Sequence, residues 1–340
     1  MKKIRVQDAI GKVLVHDITK IIPGKFKGCA FKKGHIITAE DIPELLKIGK
    51  EHVYVWEQKP GMIHEDEAAL RIASAAAGDG IKLSEPSEGK INLLADKKGL
   101  LKIDVERLKI INSIEQIMCA TIHQNQVVTD DQLVAGTRVI PLVIEEEKIR
   151  FVEAVCSGNP IMKIYQISPK KVGIISTGSE LYHGRIKDKF GPVVKNKVAQ
   201  YDCAVLGQQI VDDQVDMIID AIQGFLQKGA EMVIVTGGMS VDPDDVTPLA
   251  IRQTGAHIVS YGAPVLPGAM FLLAYLEGKI PLMGLPGCVM YAKTTVFDLV
   301  LPRVLAGEIL SKTDLALLGH GGLCTGCKPC TFPACSFGKG

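Results

Sequence analysis

The segment TGGMSVDPDDVTP (236–248) follows the apolar run 232–235 and sets two adjacent glycines, a serine hydroxyl and three aspartates in one loop. Two further loops follow apolar runs in the same half of the chain: TGSEL (177–181) behind VGIIS, and LPGCVM (285–290) behind IPLMG. Glycine permits close backbone approach to a ligand. Backbone amides gathered where a loop enters a helix bind phosphate, because unpaired N–H groups and the helix dipole both favour an anion. The carboxylates of Glu180, Asp242, Asp244 and Asp245 would repel a bare phosphate. They suit one bridged by Mg²⁺, which takes one or two carboxylates together with phosphate oxygens, or they suit general-base and metal-assisted chemistry. Asp245 equally suits capping of the helix expected over 246–255, and Asp212 and Asp213 in IVDDQ equally suit capping of the helix that starts at Val215.

A second group of chemically capable residues is Cys324, Cys327, Cys330 and Cys335, which form C-x2-C-x2-C-x4-C behind the flexible GHGG. Four thiols at these spacings suit a tetrahedral zinc or an iron–sulfur cluster, although the usual ferredoxin run has three residues before its last cysteine. A disordered, merely reactive tail is the alternative reading, and delivery or sensing of a soft metal is a further one. Cys29, Cys119, Cys156, Cys203 and Cys288 are scattered and read as buried reduced thiols.

The elements that must position these residues change in texture along the chain. Residues 1–60 read as a small mixed unit. It has a strand at 13–15, a basic glycine-punctuated loop at 24–34 carrying Lys25, Lys27, Lys32 and Lys33, a helix over 39–48 and a closing strand in HVYVWE. The lysine loop reads as a solvated hairpin or as an anion contact. Residues 61–168 read as strand-rich, with helices at 64–77 and 104–114 and strands at 90–94, 99–103, 117–122 and 137–144. His123 reads as a surface histidine. From 169 to 310 the pattern is α/β. Apolar strands at 172–176, 209–211, 232–235 and 280–287 alternate with helices at 195–206, 215–229, 246–255 and 289–307. Continuous apolar strands alternating with helices predict a parallel sheet covered on both faces, a three-layer architecture. Its ligand is expected at the carboxyl ends of the strands. Residues 311–340 form the cysteine-rich tail.

Composition excludes several classes. A chain of 340 residues predicts two or three domains, and its 47% hydrophobic content can fill large cores. The net charge of +1 offers no case for nucleic acid or an anionic membrane as the main partner. The start MKKIRVQDAIGK has no apolar core behind it, so no secretory leader is expected. The most apolar stretch, 263–287, is interrupted by Pro267, Glu277, Lys279, Pro281 and Pro286, so no membrane span is expected. The cytoplasm is the default expectation.

Together, STGSEL, IVDDQ, TGGMSVDPDDVTP and GLPGCVMYAKTTVFDLVLPRVLAG resemble the molybdopterin-binding domain of molybdenum cofactor biosynthesis proteins. STGSEL and the opening VQDAIGKVLVHDI are similar to the molybdenumtransferases, which insert metal into molybdopterin. DDVTP is similar to the adenylyltransferases, which activate molybdopterin with ATP. The match covers about 170–307 well and about 1–20 weakly. The resemblance implies a pterin-phosphate pocket lined by Thr177, Gly178, Thr236, Gly237, Gly238, Ser240, Pro286 and Gly287, with Gly268 in another loop of the same site. It implies that Glu180, Asp212 and Asp245 serve the metal or nucleotide step, with Mg²⁺. Asp242 is added from its own position, since the molybdenumtransferase loop has a glycine there. Ser179 stands where that family has an acid, Cys288-Val289 where it has Asn-Pro, and Ala269 where it often has lysine. Asp244 stands where an arginine often precedes DVTP. The carboxy-terminal β domain of the molybdenumtransferases is not matched.

The resemblance implies an enzyme that inserts molybdate into adenylylated molybdopterin, orienting its partners and compensating charge rather than supplying a covalent nucleophile. A carrier or sensor that holds the pterin without chemistry is the second reading, and molybdopterin adenylylation is a third. A nucleotide-amide hydrolase sharing the domain suits the amino-terminal part less. Expected partners are molybdopterin or its adenylylated form, molybdate, and further copies of the chain.

Overall fold

The computed structural model describes residues 2–22, 26–55 and 60–339. It divides into two units, one of 1–97, 102–122 and 128–164 and the other of 98–101, 123–127 and 165–340. Gly24 and Lys25 of the lysine loop, and Trp56 and Glu57 of the expected closing strand, lie outside the described residues.

In the first unit, strands Lys2–Arg5 and His52–Val55 pair antiparallel, and Ile18–Ile22 pairs with Phe26–Phe31 as a hairpin. Val6, Leu14, Ile18, Ile37, Leu45 and Val53 fill a small core beside helix Asp41–Lys47. The strand expected at 13–15 is reduced to two single bridges, Val13 with Ile36 and Leu14 with Val55. Lys33 is exposed but engaged within the chain. Its Nζ lies 2.7 Å from Asp66 Oδ2 and 3.0 Å from His64 Nδ1, and its amide donates to Asp17 Oδ1 at 2.7 Å.

Helix Glu65–Ala76 begins where the sequence places it, with His64 Nδ1 accepting the Asp66 amide at 3.2 Å as its cap. An antiparallel sheet runs in the order Ile81–Leu83, Lys90–Ala95, Leu133–Val139, Ile117–Thr121. The stretch 137–144 is two strands, because the chain turns between Val139 and Val143. Helix Glu146–Cys156 is unexpected from the sequence. Its buried face is only Ile149, Val152 and Cys156, and a charged run hides that spacing. Glu65 is buried, and burial followed by the charge of Asp66 pushes its carboxyl up to about 7. Cys119, Cys156 and Cys203 are buried as expected, whereas Cys29 is exposed and Cys288 only half-buried.

The second unit holds a six-stranded sheet. Its strands are β1 (Lys171–Thr177), β2 (Ala204–Val211), β3 (Met232–Thr236), β4 (His257–Tyr261), β5 (Leu272–Leu276) and β6 (Ile280–Leu285), in the order β2-β1-β3-β6-β5-β4. The first four of that order are parallel, while β5 and β4 add antiparallel. Side chains alternate across the pleat. Val172, Ile174, Met232, Ile234, Met283 and Leu285 face one core, and Ile175, Val233, Val235 and Leu282 face the other.

Both faces are therefore apolar, and each is covered. Val194 and Val198 of α2 (Phe190–Ala199) and Phe297, Val300, Leu301 and Val304 of α5 (Val296–Leu305) close the first core. Ile218, Ala221, Ile222 and Phe225 of α3 (Val215–Gln227) and Ala250 and Ile251 of α4 (Thr247–Gln253) close the second. A Cβ on Gly173 would stand 2.4 Å from the Phe225 ring, so glycine lets α3 sit close on β1. The short helix α1 (Ser179–Tyr182) follows β1, and α6 (Lys312–Leu317) precedes the tail.

Two helices differ from expectation. The one expected at 195–206 ends at Ala199, because the chain turns at Asp202 with φ of 57° and enters β2. The one expected at 289–307 starts at Val296, because Thr295 and Asp298 form a reciprocal capping box there. No helix among the described residues is long and apolar enough to cross a membrane.

Candidate functional site

Parallel register brings the three loops together. Ser176 of β1 stands opposite Thr236 of β3, and Thr236 opposite Leu285 of β6. The strands run the same way, so the loops that open at Thr177, Gly237 and Pro286 leave the sheet side by side, at the edge where α/β sheets take ligands.

Beneath them lies a polar floor that sequence reasoning missed. Ser176 and Thr236 are fully buried, and Thr236 Oγ1 lies 3.4 Å from both Ser176 Oγ and the Ile175 carbonyl. Gln208 of β2 donates to Ser176 Oγ at 3.0 Å and to Asp188 Oδ2 at 2.5 Å. Asp188 also accepts the amides of Phe190 (2.9 Å) and Gly191 (3.1 Å) at the start of α2. The signal available was the Gln208–Gln209 pair, two long amides within the strand AVLGQQIV.

The glycine pair is pressed onto the first loop. Gly237 has φ of 92°, and a Cβ there would stand 2.3 Å from the Thr177 carbonyl oxygen. A Cβ on Gly238 would stand 2.8 Å from Thr247 Oγ1 and 3.3 Å from Thr177 Oγ1. Thr247 was not singled out by the sequence, yet its hydroxyl donates to the Gly237 carbonyl at 2.9 Å. The loop then crosses β6, where Met239 sulfur would meet a Cβ on Gly284 at 2.5 Å. Tyr261 of β4 donates its hydroxyl to the carbonyls of Met239 (2.9 Å) and Ser240 (3.0 Å). Thr177, Gly178, Thr236, Gly237 and Gly238 thus form one compact cradle, while Ser240 and Asp242 ride on the exposed part of the loop.

The helix starts beside these loops are weaker than expected. α1 has four residues and α4 seven, and Gly287–Met290 is a single 3-10 turn behind Pro286. α5 is longer, but its first turn is capped by its own Thr295 and Asp298. Loop backbone rather than helix dipole must hold any anion here. Gly268 packs against the start of α5, since a Cβ on it would stand 2.6 Å from Val296 Cγ1.

The acids divide into separate tasks. Asp245 does not cap α4, which starts behind Val246. Its Oδ2 instead accepts the Asp242 amide at 3.0 Å, closing the aspartate loop on itself. Asp212 accepts the Ser179 hydroxyl and, at 2.9 Å, the Asp213 amide, and the Ser179 hydrogen bond holds its carboxyl below the usual range. Asp213 accepts the Ser179 amide at 2.9 Å, and burial pushes its carboxyl up, with Asp212 and Glu180 adding repulsion. Ser179, which stands where the resembling family has an acid, is therefore the joint between the first loop and the two aspartates. Glu180 is exposed on α1.

The four tail cysteines border one cavity of about 20 Å³ with Thr294, Phe332 and Phe337. They do not stand as a ready ligand set: among the described residues, no group of three or more His, Cys, Asp or Glu side chains is placed to hold a metal ion. The same holds for Glu180, Asp212, Asp242 and Asp245. The loop acids by themselves do not build a Mg²⁺ cage.

Residues 173–306 match the protein-family description "Probable molybdopterin binding domain", and residues 3–57 match a domain of unknown function. The molybdopterin molybdenumtransferase of Staphylococcus epidermidis is 30% identical over 123 residues, 34% of this chain and 29% of that protein. A CinA-like protein of Amoebophilus asiaticus is 32% identical over 80 residues, 24% of this chain and 19% of that protein. The chain spans less than a third of the length of these curated relatives. The solved structure of the molybdopterin biosynthesis enzyme MoaB from Thermus thermophilus is 19% identical with a TM-score of 0.34, covering 41% of this chain and 98% of that one.

Proposed function

We propose, on the premise that residues 173–306 form a molybdopterin-binding domain of the kind found in molybdenum cofactor biosynthesis proteins, that the chain binds molybdopterin at the β1-β3-β6 edge and inserts molybdate into its adenylylated form. The observation that carries this reading is the side-by-side departure of the Thr177, Gly237 and Pro286 loops. In this reading the phosphate end of the pterin rests against Thr177, Gly178, Gly237 and Gly238. Pro286 and Gly287 border the same space, and the hydroxyl of Ser240 lies at its rim. Glu180, Asp212 and Asp245 line the approach of molybdate, whose addition releases AMP. Among the described residues the acids do not gather around one ion.

A second reading has its own observation. The Asp245 and Asp212 carboxylates are engaged by loop groups, Asp242 N and Ser179 Oγ, which suits a carrier or sensor that holds the pterin without transforming it. Incubation of the chain with adenylylated molybdopterin and molybdate separates the two. Molybdate-dependent AMP release supports insertion, and tight binding without release supports the carrier. Pyrophosphate release from ATP and molybdopterin would place it instead with the adenylyltransferases. Absence of any pterin binding sinks all three.

A further inference from the structure

The carboxy-terminal loop closes on itself. The Gly338 amide donates to the Gly321 carbonyl at 2.9 Å, and a Cβ on Gly321 would stand 3.0 Å from the Lys339 carbonyl oxygen. Between these necks the chain forms turns and bends, with no helix and no strand longer than the single Leu323–Leu266 bridge. Its apolar anchors are few. Phe337 is buried, Phe332 packs beside it at 6.3 Å between ring centroids, and Cys324 and Cys335 lie half-buried against the same core. A loop of this length with so little apolar content lacks the burial to define one conformation, and small loops of this kind are usually stapled by a disulfide or a metal.

The staple is supplied by the cysteines. Cys324, Cys327, Cys330 and Cys335 are far enough apart in sequence to reach a shared point from four sides, and all four border the same cavity of about 20 Å³. That volume admits about one water-sized sphere, room for a single ion, and the four residues between Cys330 and Cys335 depart from the three of the usual ferredoxin run. No carboxylate or imidazole borders the cavity, and its other walls are Thr294, Leu323, Thr325, Phe332, Ser336 and Phe337. An all-sulfur, tetrahedral donor set selects a soft or borderline ion such as Zn²⁺. We infer that the tail is a four-thiolate site for one zinc-like ion. As placed, the sulfurs are not a ready ligand set, so binding requires the tail to rearrange around the ion as each thiol loses its proton to solvent.

The ion would also stiffen a wall of the sheet-edge site, whatever that site binds. The Cys324 amide donates to the Leu266 carbonyl and the Leu266 amide to the Gly322 carbonyl, both at 2.8 Å, and Leu266 leads into Gly268. Cys330 Sγ lies 3.7 Å from Thr294 Oγ1, next to the cap of α5.

Anaerobic titration of the reduced, metal-free full chain with Co²⁺, read by absorbance, tests this site independently of any pterin. The expected result is saturation at one equivalent, with sulfur-to-cobalt charge-transfer bands and the intense visible bands of a tetrahedral thiolate site, displaced by one equivalent of Zn²⁺. Loss of an outer-shell partner alone costs roughly 10–100-fold in affinity, so the double variant Cys327→Ser, Cys330→Ser should bind more than about 100-fold more weakly. Should that variant fold poorly, hydrogen exchange on the native chain gives the same answer, with amides of 321–339 and 264–268 slowed by zinc and released by a chelator. No saturable binding, unchanged binding in the double variant, iron with acid-labile sulfide in anaerobically purified protein, or a disulfide among the four cysteines as purified would each overturn the inference.

Discussion

The Thr177 carbonyl oxygen occupies a point 2.3 Å from where Gly237 would carry a Cβ. That approach lets the β3 loop lie directly on the β1 loop, so two backbones and not two side chains define the cradle.

Gly237→Ala should collapse ligand binding. A methyl group there meets backbone at 2.3 Å and φ is 92°, so the loop must move, at a cost of about 1–3 kcal/mol. Gly224→Ala, on α3, is the control, because nothing lies within 4 Å of its Cβ position and the site does not include it. Calorimetric titration with molybdopterin should show at least a tenfold loss for the first and little change for the second. Equal loss in both would show that the close approach at Gly237 does not govern binding.

Asp245→Asn and Asp245→Ala should differ. Asparagine keeps an oxygen for the Asp242 amide, whereas alanine leaves that amide without its partner, worth about 0.5–1.5 kcal/mol. Hydrogen exchange in 241–246 should rise for alanine alone. If the carboxylate has a chemical task, AMP release should fall in both, with the asparagine variant as stable as the native chain. Full activity in Asp245→Asn would confine Asp245 to bracing its loop.

Glu65 gives the first unit a pH dependence of defined sign. Its folded carboxyl titrates at about 7 against an ordinary 4.5, so the native state holds a proton that the unfolded chain has lost. The contribution is fully present below about 4.5 and disappears as pH rises through about 7. At about 1.4 kcal/mol per unit, its upper bound is about 3 kcal/mol. Urea midpoints of Glu65→Gln compared with the native chain should diverge above pH 5, with glutamine the more stable at pH 8. Parallel curves from pH 4 to 8 would contradict this.

Phe225 and Gly173 form a packing pair in the second unit. Phe225→Ala should cost about 3–5 kcal/mol from lost burial and the cavity left behind. Gly173→Ala should cost about 1–3 kcal/mol by forcing the ring off β1, where the two would meet at 2.4 Å. The double variant should recover part of the second loss. Strict additivity in thermal unfolding would show that the two do not share one contact.

Much of the second unit was legible as sequence. VGII, MVIV and IPLMG are apolar at every position because strands covered on both faces have no solvent side, and all three became neighbouring strands. Boundaries were less legible. The helix read at 195–206 failed at Asp202, whose positive φ cannot be seen in a pattern of apolar residues. β4 and β5 were missed because their run, 257–276, is broken by glycines and prolines that read as loop. Thr177, Gly178, Thr236, Gly237 and Gly238 were named by the resemblance, and the structure packs Gly237 and Gly238 onto Thr177. Thr247, Tyr261 and Gln208 were not legible, since each acts through a hydrogen bond to a residue distant in sequence.

That three glycine- or proline-bearing loops follow three buried strands, and that four cysteines crowd residues 324–335, can be read from the amino acids alone. Both are properties of residue type and spacing, which local periodicity and composition carry. Only the tertiary structure decided that Asp245 turns inward to hold Asp242, that Ser179 joins the first loop to Asp212 and Asp213, and that the four cysteines face one cavity. Those outcomes depend on strand register and on where a folded loop finds its hydrogen-bond partners, and neither is set by any residue alone.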